Sequence, residues 1–235
     1  MTPELRQFVR KKAPDAKLLL VVAAPSEARA VAGDRASVLL PWAPISISDG
    51  VDLILSGVGK ANASGATAAA LARGVYGAVI NLGVCGTLPG SPAVIGDVVL
   101  ATRSVFADEG VESEAGAKWE PMATLGFPTA IDGDGVVCDA ELMQLLRPHA
   151  AHAGVIATVS TCSGTDARAV AVVKRTVAVA EAMEGAAVLL ASARLGVPGA
   201  ELRVVSNTTG ERGKQRWELK RALVIVGELA RGIVA

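Results

Sequence analysis

Three polar residues stand out because each follows a segment with the apolar character of a buried strand. Glu27 comes shortly after the aliphatic run 18–24, Glu184 follows the short segment 177–181, and Asn207 follows 201–206. A carboxylate can take a proton from water or bind hydroxyl groups, and an amide can donate hydrogen bonds to a leaving group. If the fold brings these three residues together, they can support acid–base chemistry that needs no metal or organic cofactor.

Each of these residues also has a structural explanation when it is taken alone. Glu27 could complement the dipole in the first turn of a helix, and Asn207 could cap the turn at 208–210. Glu184 precedes an apolar helix, where a buried carboxylate needs a polar partner, and a ligand could be that partner. Cys85 is typical of a small buried apolar side chain, and no histidine stands next to it.

The segment Gly57-Val58-Gly59-Lys60 resembles a nucleotide-binding loop but matches neither common motif. It lacks the third glycine of the dinucleotide-binding pattern, and it lacks the spacing and the Ser or Thr of a phosphate-binding loop. It therefore indicates a tight turn between a strand and a helix, and a dinucleotide-binding protein is disfavoured.

The elements that must position these residues alternate between strands and helices. The predicted strands are 18–24, 51–56, 77–82, 97–105, 154–161, 177–181 and 201–206. The predicted helices are 26–32, 61–73, 139–150, 165–174, 183–195 and 215–233. This alternation predicts an α/β fold with a central, mostly parallel or mixed twisted sheet flanked by helices. We expect a single catalytic domain over 17–235, an N-terminal extension or short helix over 1–16, and an irregular segment over 109–135.

Composition excludes several classes of protein. Lys plus Arg and Asp plus Glu both number 23, so the formal charge is zero and no nucleic-acid partner is expected. Cys85, Cys138 and Cys162 form no Cys-x-x-Cys pair, so we expect no zinc site and a reducing cytoplasm. No run approaches the ~20 apolar residues of a membrane span, so no membrane partner is expected.

Seven motifs occur in order along the chain. They are Ala24-Pro25-Ser26-Glu27, Ser56-Gly57-Val58-Gly59-Lys60, Asn81-Leu82-Gly83-Val84-Cys85-Gly86, Gly96-Asp97-Val98-Val99, Met183-Glu184-Gly185-Ala186-Ala187, Val197-Pro198 and Arg203-Val204-Val205-Ser206-Asn207. Together they resemble the nucleoside phosphorylase and nucleosidase superfamily, from about residue 18 to the end. Within it, the pattern is most similar to methylthioadenosine/S-adenosylhomocysteine nucleosidases and futalosine hydrolases. The resemblance implies a cofactor-free enzyme that binds a small nucleoside, and it implies a homo-oligomer.

The resemblance also implies a role for each candidate site residue. Glu27 matches the carboxylate that positions and deprotonates water, Glu184 the carboxylate that binds ribose hydroxyls, and Asn207 the position that addresses purine N7. The remaining substrate-binding residues are Met183 against the sugar, Ser163, Gly164 and Thr165 beside the purine, Phe106 near the sugar or base, and Val84, Cys85, Gly86 and Ser206.

Two departures from the family pattern narrow the expected reaction. The segment 23–26 offers no cation for phosphate, and Val84 stands where an oxyanion-binding serine or threonine is common, which favours water as the nucleophile. Asn207 stands where adenine-cleaving relatives carry aspartate, which favours a 6-oxopurine. Futalosine, a hypoxanthine nucleoside with a benzoate-bearing arm, is the family substrate with such a base. Its hydrolysis to hypoxanthine and dehypoxanthinyl futalosine belongs to menaquinone biosynthesis.

Other functions remain open alternatives. A methylthioadenosine-type nucleosidase or a purine nucleoside phosphorylase would share most of the motifs. A non-catalytic nucleoside-binding module is a further alternative, although binding alone does not require both Glu27 and Glu184. The basic residues Arg212, Lys214 and Arg216 follow the Asn207 turn closely, so we expect at least one of them to attract the benzoate arm.

Overall fold

In the computed structural model, which describes residues 1–113 and 118–235, a mixed β-sheet lies between helices. The strands are β1 (Lys17–Val22), β2 (Ile45–Ser48), β3 (Val51–Leu55), β4 (Tyr76–Thr87), β5 (Val98–Phe106), β6 (Gly110–Ser113), β7 (Lys118–Pro121), β8 (Gly135–Val137), β9 (His152–Thr158), β10 (Ala180–Ala182) and β11 (Gly199–Thr208). The helices are α1 (Pro3–Arg10), α2 (Pro25–Ala32), α3 (Lys60–Leu71), α4 (Ala140–Leu146), α5 (Asp166–Thr176), α6 (Gly185–Arg194) and α7 (Leu219–Val234).

The sheet consists of two parallel blocks joined by an antiparallel pair. Strands β3, β1, β4 and β11 are parallel neighbours, and so are β5, β9 and β10. The blocks meet where β5 and β11 pair antiparallel, while β2 and β8 add antiparallel edges. Strand β10 also pairs antiparallel with β4, so β4, β11, β5, β9 and β10 form a closed ring. The α/β fold predicted from the sequence is confirmed, and its sheet is mixed.

Apolar residues on both faces explain why helices cover the sheet on two sides. The aliphatic run of β1 is fully buried from Leu18 to Val22, as is usual for a strand with helices on both faces. Helices α1, α2, α4 and α7 contribute to the core on one face of the sheet, and α3 and α6 to the core on the other. Alanines on the facing sides of α3 and α6, among them Ala66 and Ala187, are buried in that second core.

The structure refines the sequence-based prediction in three segments. Within 1–16, expected as an extension or a short helix, residues 3–10 form helix α1, which buries Leu5, Phe8 and Val9 in the main core. The segment predicted as irregular, 109–135, contains the hairpin of β6 and β7 and the start of β8, while 114–117 lie outside the described residues. Strand β4 continues five residues past the predicted end at Leu82 and therefore includes Gly83 and Gly86.

Among the helices of residues 1–113 and 118–235, none combines the length and apolarity that a membrane crossing requires.

Candidate active site

A cavity of about 190 Å³ lies near the carboxyl ends of β1, β3, β4 and β11. Ligands commonly bind at this edge of an α/β sheet. Eight of the twelve predicted site residues line it: Glu27, Val84, Cys85, Gly86, Met183, Glu184, Ser206 and Asn207. A groove of about 670 Å³ beside α2 is larger, but the described residues lining it include one carboxylate, Asp34. The buried carboxyl groups that line the smaller cavity, and not its volume, therefore identify the candidate site.

Glu27 accepts hydrogen bonds from backbone N–H groups of two segments, the one that follows β1 and strand β4. Its Oε2 accepts hydrogen bonds from the N–H groups of Ala23 (3.0 Å) and Ala24 (2.9 Å), which close the N-terminus of α2. Its Oε1 accepts from the N–H of Val84 in β4, at 2.9 Å. The helix-terminal role that the sequence allowed is therefore real, and the same carboxylate also lines the cavity.

Gly83 allows this arrangement because β4 approaches Glu27 closely. A Cβ atom at position 83 would lie 2.4 Å from Glu27 Oε1 and 2.9 Å from Arg203 Nη1. Both distances are shorter than real Cβ contacts, so any side chain here would displace one of the two charged groups.

Arg203 is a charged site residue that the sequence analysis did not predict, although it begins the last of the seven motifs. It lies in β11 with 1% of its surface exposed, and its Nε donates to Glu201 Oε1 at 2.8 Å. Its Nη1 is 3.2 Å from Glu184 Oε2, and Nη2 donates to Asn81 Oδ1. A charge inside a buried strand is unexpected. The available signal was Glu201, two residues away and therefore on the same face of that strand.

Glu184 has protein partners for both carboxylate oxygens. Oε2 pairs with Arg203, and Oε1 accepts the N–H of Gly59 at 3.1 Å. Gly59 has φ 93°, which an L-residue rarely adopts, so the turn predicted at 57–60 needs glycine there to aim its N–H at Glu184. Each carboxylate oxygen retains a further lone pair for a ligand hydroxyl group.

The charges of the site are coupled through Arg203. Burial raises the pKa of Glu27 above its ordinary value, and the charge of Arg203 opposes that shift. Burial disfavours the charged form of Arg203, but Glu201, Glu184 and Glu27 outweigh it and raise its pKa. The guanidinium therefore stays charged among three carboxyl groups. This surplus of acidic groups favours a substrate that develops positive charge as it reacts.

Asn207 is held so that its amide group has a fixed orientation. Ser206 Oγ lies 2.8 Å from Asn207 Oδ1, and Asn207 Nδ2 donates to the Thr208 carbonyl at 3.0 Å. The opposite orientation would place the amide oxygen against that carbonyl. Nδ2 carries two hydrogens, so one N–H serves Thr208 and the second can serve a ligand.

Four predicted substrate-binding residues do not line the cavity. Ser163 is buried and donates from its N–H and its hydroxyl to Glu181. Thr165 caps α5. Gly164 accepts a hydrogen bond through its carbonyl group, and Phe106 is buried with Lys60 Nζ 5.2 Å from its ring centroid. Direct contact with the nucleoside, predicted for these four, therefore has no support from the cavity.

Other residues line the cavity without having been predicted. The main ones besides Arg203 are Glu181, Cys162, Val58 and Trp217. Trp217 lies in the segment before α7 and pairs through its backbone with Asn207. Nothing in the sequence marked Glu181, because its position depends on pairing between distant strands.

The thiol of Cys85 does not favour a nucleophilic role, since burial raises its pKa to about 12. Within residues 1–113 and 118–235, no three His, Cys, Asp or Glu side chains are grouped as a metal-binding set.

Comparison of the chain with known proteins identifies its family. Residues 48–235 match the family model of the phosphorylase superfamily. A futalosine hydrolase of Thermus thermophilus is 37% identical over 186 residues, which cover 77% of this chain and 79% of that protein. A futalosine hydrolase of Streptomyces coelicolor is 38% identical over 199 residues, or 78% and 80% of the two chains. The crystal structure of a Helicobacter pylori 5′-methylthioadenosine/S-adenosylhomocysteine nucleosidase superposes with a TM-score of 0.73 at 20% identity and covers 93% and 97%.

Proposed function

Because the chain belongs to the phosphorylase superfamily, we propose that it hydrolyses the N-glycosidic bond of futalosine and releases hypoxanthine and dehypoxanthinyl futalosine. Relatives at 37% and 38% identity carry the name futalosine hydrolase, which supports this choice of substrate. The observation that carries the proposal is one cavity lined by two buried carboxyl groups, Glu27 and Glu184, and by the amide of Asn207.

The reaction uses these three groups at three places: the attacking water, the ribose and the departing base. As the bond between C1′ and the base nitrogen breaks, its electron pair leaves with the base and positive charge develops on the sugar. Water attacks C1′ and gives a proton to Glu27. Glu184 accepts hydrogen bonds from the ribose hydroxyls, which are strong because its carboxylate is charged. Asn207 Nδ2 donates a hydrogen bond to N7 of the departing base, where negative charge develops. The base then takes a proton from solvent, and Glu27 releases to solvent the proton that it accepted from water.

Water is favoured over phosphate because the cation of the cavity is already engaged. Among the described residues that line it, Arg203 carries the positive charge, and its guanidinium is bound to Glu201, Glu184 and Asn81. A phosphate would meet the carboxyl groups of Glu27 and Glu184 at close range, which is unfavourable. These contacts support a hydrolase over a phosphorylase.

The second candidate is a methylthioadenosine-type nucleosidase, because an enzyme of that name shares the fold. The two candidates differ in the purine base. The remaining N–H of Asn207 faces an edge of a 6-oxopurine that carries acceptors at both N7 and O6, whereas the amino group of adenine is itself a donor. The amide therefore favours hypoxanthine over adenine.

A base-release assay on futalosine, inosine and methylthioadenosine tests the proposed substrate. We expect kcat/KM to be largest for futalosine and at least tenfold smaller for methylthioadenosine, since mismatched hydrogen-bond partners discriminate strongly. A larger kcat/KM for methylthioadenosine would replace the proposal with the second candidate. No base release from any of the three would favour a non-catalytic nucleoside-binding module.

The proposal extends to assembly and location. We propose a homo-oligomeric, cytoplasmic enzyme, as the family resemblance implies. Light scattering on the purified chain measures the assembly directly.

A further inference from the structure

A carboxyl group lines the cavity that the proposed reaction does not use. Glu181 lies in β10 with 4% of its surface exposed. Its Oε1 accepts the N–H of Ser163 at 2.7 Å, and its Oε2 accepts the Ser163 hydroxyl at 2.6 Å. Two donors from one residue fix the orientation of this carboxyl group beside the cavity.

The register of the sheet relates Glu181 to Asn207. Glu181 of β10 pairs with Gly86 of β4 on one side, and Asn207 of β11 pairs with Gly86 on the other. Directly paired residues project to the same face of a sheet, so both side chains project to the face on which the cavity lies. Their backbones are two strand spacings apart, about 9.5 Å. A Cβ atom at Gly86 would lie 3.0 Å from Asn207 Nδ2 and 2.8 Å from Thr209 Cγ2, so the glycine leaves room for the Asn207 amide on the Glu181 side of its own strand.

The two groups have complementary hydrogen-bonding characters. Asn207 Nδ2 is a donor that remains available after its bond to Thr208. Glu181, when ionised, is only an acceptor, and each oxygen has a lone pair beyond the one used by Ser163. A ligand that spans Gly86 therefore needs acceptors on its Asn207 side and a donor on its Glu181 side.

A 6-oxopurine has this pattern along one edge. It presents acceptors at N7 and O6 and a donor N–H at N1. Adenine has an acceptor at N1 in place of that donor, so it would face a carboxylate with a lone pair. The combination of Asn207 and Glu181 therefore reads three positions of the base.

We infer that Glu181 accepts a hydrogen bond from N1–H of the purine and selects 6-oxopurine nucleosides. This inference rests on the proposed function, since it concerns the base of the same substrate. Ser163 acts as a positioning residue, because it holds the carboxylate without lining the cavity.

Burial raises the pKa of Glu181 above its ordinary value, and the two hydrogen bonds from Ser163 and the charge of Arg168 oppose that shift. The charge of Asp108, like burial, raises the pKa of Glu181. A third donor, N1–H, favours the carboxylate further.

The test compares futalosine with its N1-methyl analogue, in which a methyl group replaces the N1 proton. For wild type we expect kcat/KM to be at least tenfold higher for futalosine. Glu181→Gln keeps the shape of the side chain, so the steric cost of the methyl group is the same in variant and wild type. Because the variant loses the charged hydrogen bond, the ratio of kcat/KM for futalosine to kcat/KM for the analogue should fall by about ten- to hundredfold. Glu181→Ala should reduce the ratio as well. Glu211→Gln removes an exposed carboxylate nearby and should leave the ratio at the wild-type value.

The ratio is measured within each variant, so partial unfolding lowers both rates equally and does not imitate the result. An unchanged ratio in both Glu181 variants would overturn the assignment of Glu181 while leaving futalosine hydrolysis intact. Failure of the wild-type enzyme to cleave futalosine would instead overturn the proposed function. In that case, calorimetry measures the affinities of the wild-type protein for hypoxanthine and 1-methylhypoxanthine. Equal affinities for the two bases would count against a hydrogen bond from N1–H to Glu181.

Discussion

At the scale of single residues, Glu27 combines a structural and a chemical position. Three backbone N–H groups, from Ala23, Ala24 and Val84, bind its two oxygens and aim the carboxyl group at the cavity. Burial raises its pKa, so the basic form is lost as pH falls through a value above the ordinary ~4.3 of glutamate. A carboxyl group with a raised pKa is also a stronger base once it is ionised.

We predict that Glu27→Gln lowers kcat by about 10²–10⁴-fold, since the amide cannot accept the proton of water. The wild-type pH profile of kcat/KM should show an acidic limb above pH ~4.3. The amide NH₂ of the variant will face a backbone N–H donor, which can destabilise the fold. Thermal unfolding of the variant is therefore the control for folding. Turnover close to wild type at saturating substrate would show that Glu27 is not the base.

We predict that Asn207→Asp lowers activity on futalosine and shifts preference toward the adenine analogue by more than tenfold. An aspartate oxygen would replace the NH₂ that now donates to the Thr208 carbonyl, so it would be repelled unless protonated. Loss of one donor in a preorganised site costs ~3–4 kcal/mol of transition-state stabilisation. The ratio of kcat/KM for the hypoxanthine and adenine forms of one nucleoside measures the shift. If Asn207 only caps a turn, that ratio will stay constant.

At the scale of elements, β4 forms the wall against which the charged groups of the cavity are arranged. The sequence-based prediction ended this strand at Leu82, before the segment 83–86. In the fold, pairing with β11 and β10 continues to Thr87 and keeps this stretch extended. Local residue types therefore predicted the existence of the strand, whereas its length depended on partners distant in sequence.

The same reasoning explains which site residues could be predicted. Glu27 and Glu184 follow strands and Asn207 lies at the end of β11, all at one edge of the sheet, and that position marks them in the sequence. Arg203 and Glu181 lie within strands, where a charged residue becomes recognisable only when its buried partner is known. Ser163 was predicted near the base, and its actual contact is with Glu181.

We predict that Gly83→Ala lowers kcat/KM by about a hundredfold, because the added Cβ displaces Glu27 or Arg203, and errors of about 1 Å in a catalytic group have that effect. Gly213→Ala is the matched control, since a Cβ there meets no atom within 4 Å. Circular dichroism and thermal unfolding establish that both variants are folded. Activity of a folded Gly83→Ala protein at the level of the control would contradict the close approach of β4 to the charged pair.

At the scale of the whole molecule, the zero formal charge conceals an uneven distribution around the cavity. Carboxyl groups line the interior, and the basic residues 212, 214 and 216 lie before α7. Of these three, Arg212 lies with its guanidinium carbon 4.9 Å from the ring centroid of Trp217, which lines the cavity. Arg216 instead lines a separate cavity with Glu218 and Arg221.

We predict that Arg212→Ala raises KM for futalosine several-fold and leaves inosine cleavage unchanged, because inosine lacks the benzoate that a guanidinium would bind. Lys214→Ala is the control for loss of a nearby exposed positive charge. Michaelis constants for the two substrates in the three proteins decide the matter. An equal effect of both substitutions would mean that the segment only adds diffuse positive charge.

We propose that water, and not phosphate, cleaves the glycosidic bond of futalosine. Mass analysis of the products, with phosphate removed and then with phosphate added in excess, measures this most directly. We expect hypoxanthine and the free sugar product to form at the same rate in both conditions, because the cavity's carboxyl groups disfavour binding of a phosphate anion. A requirement for phosphate, or a sugar 1-phosphate among the products, would contradict it.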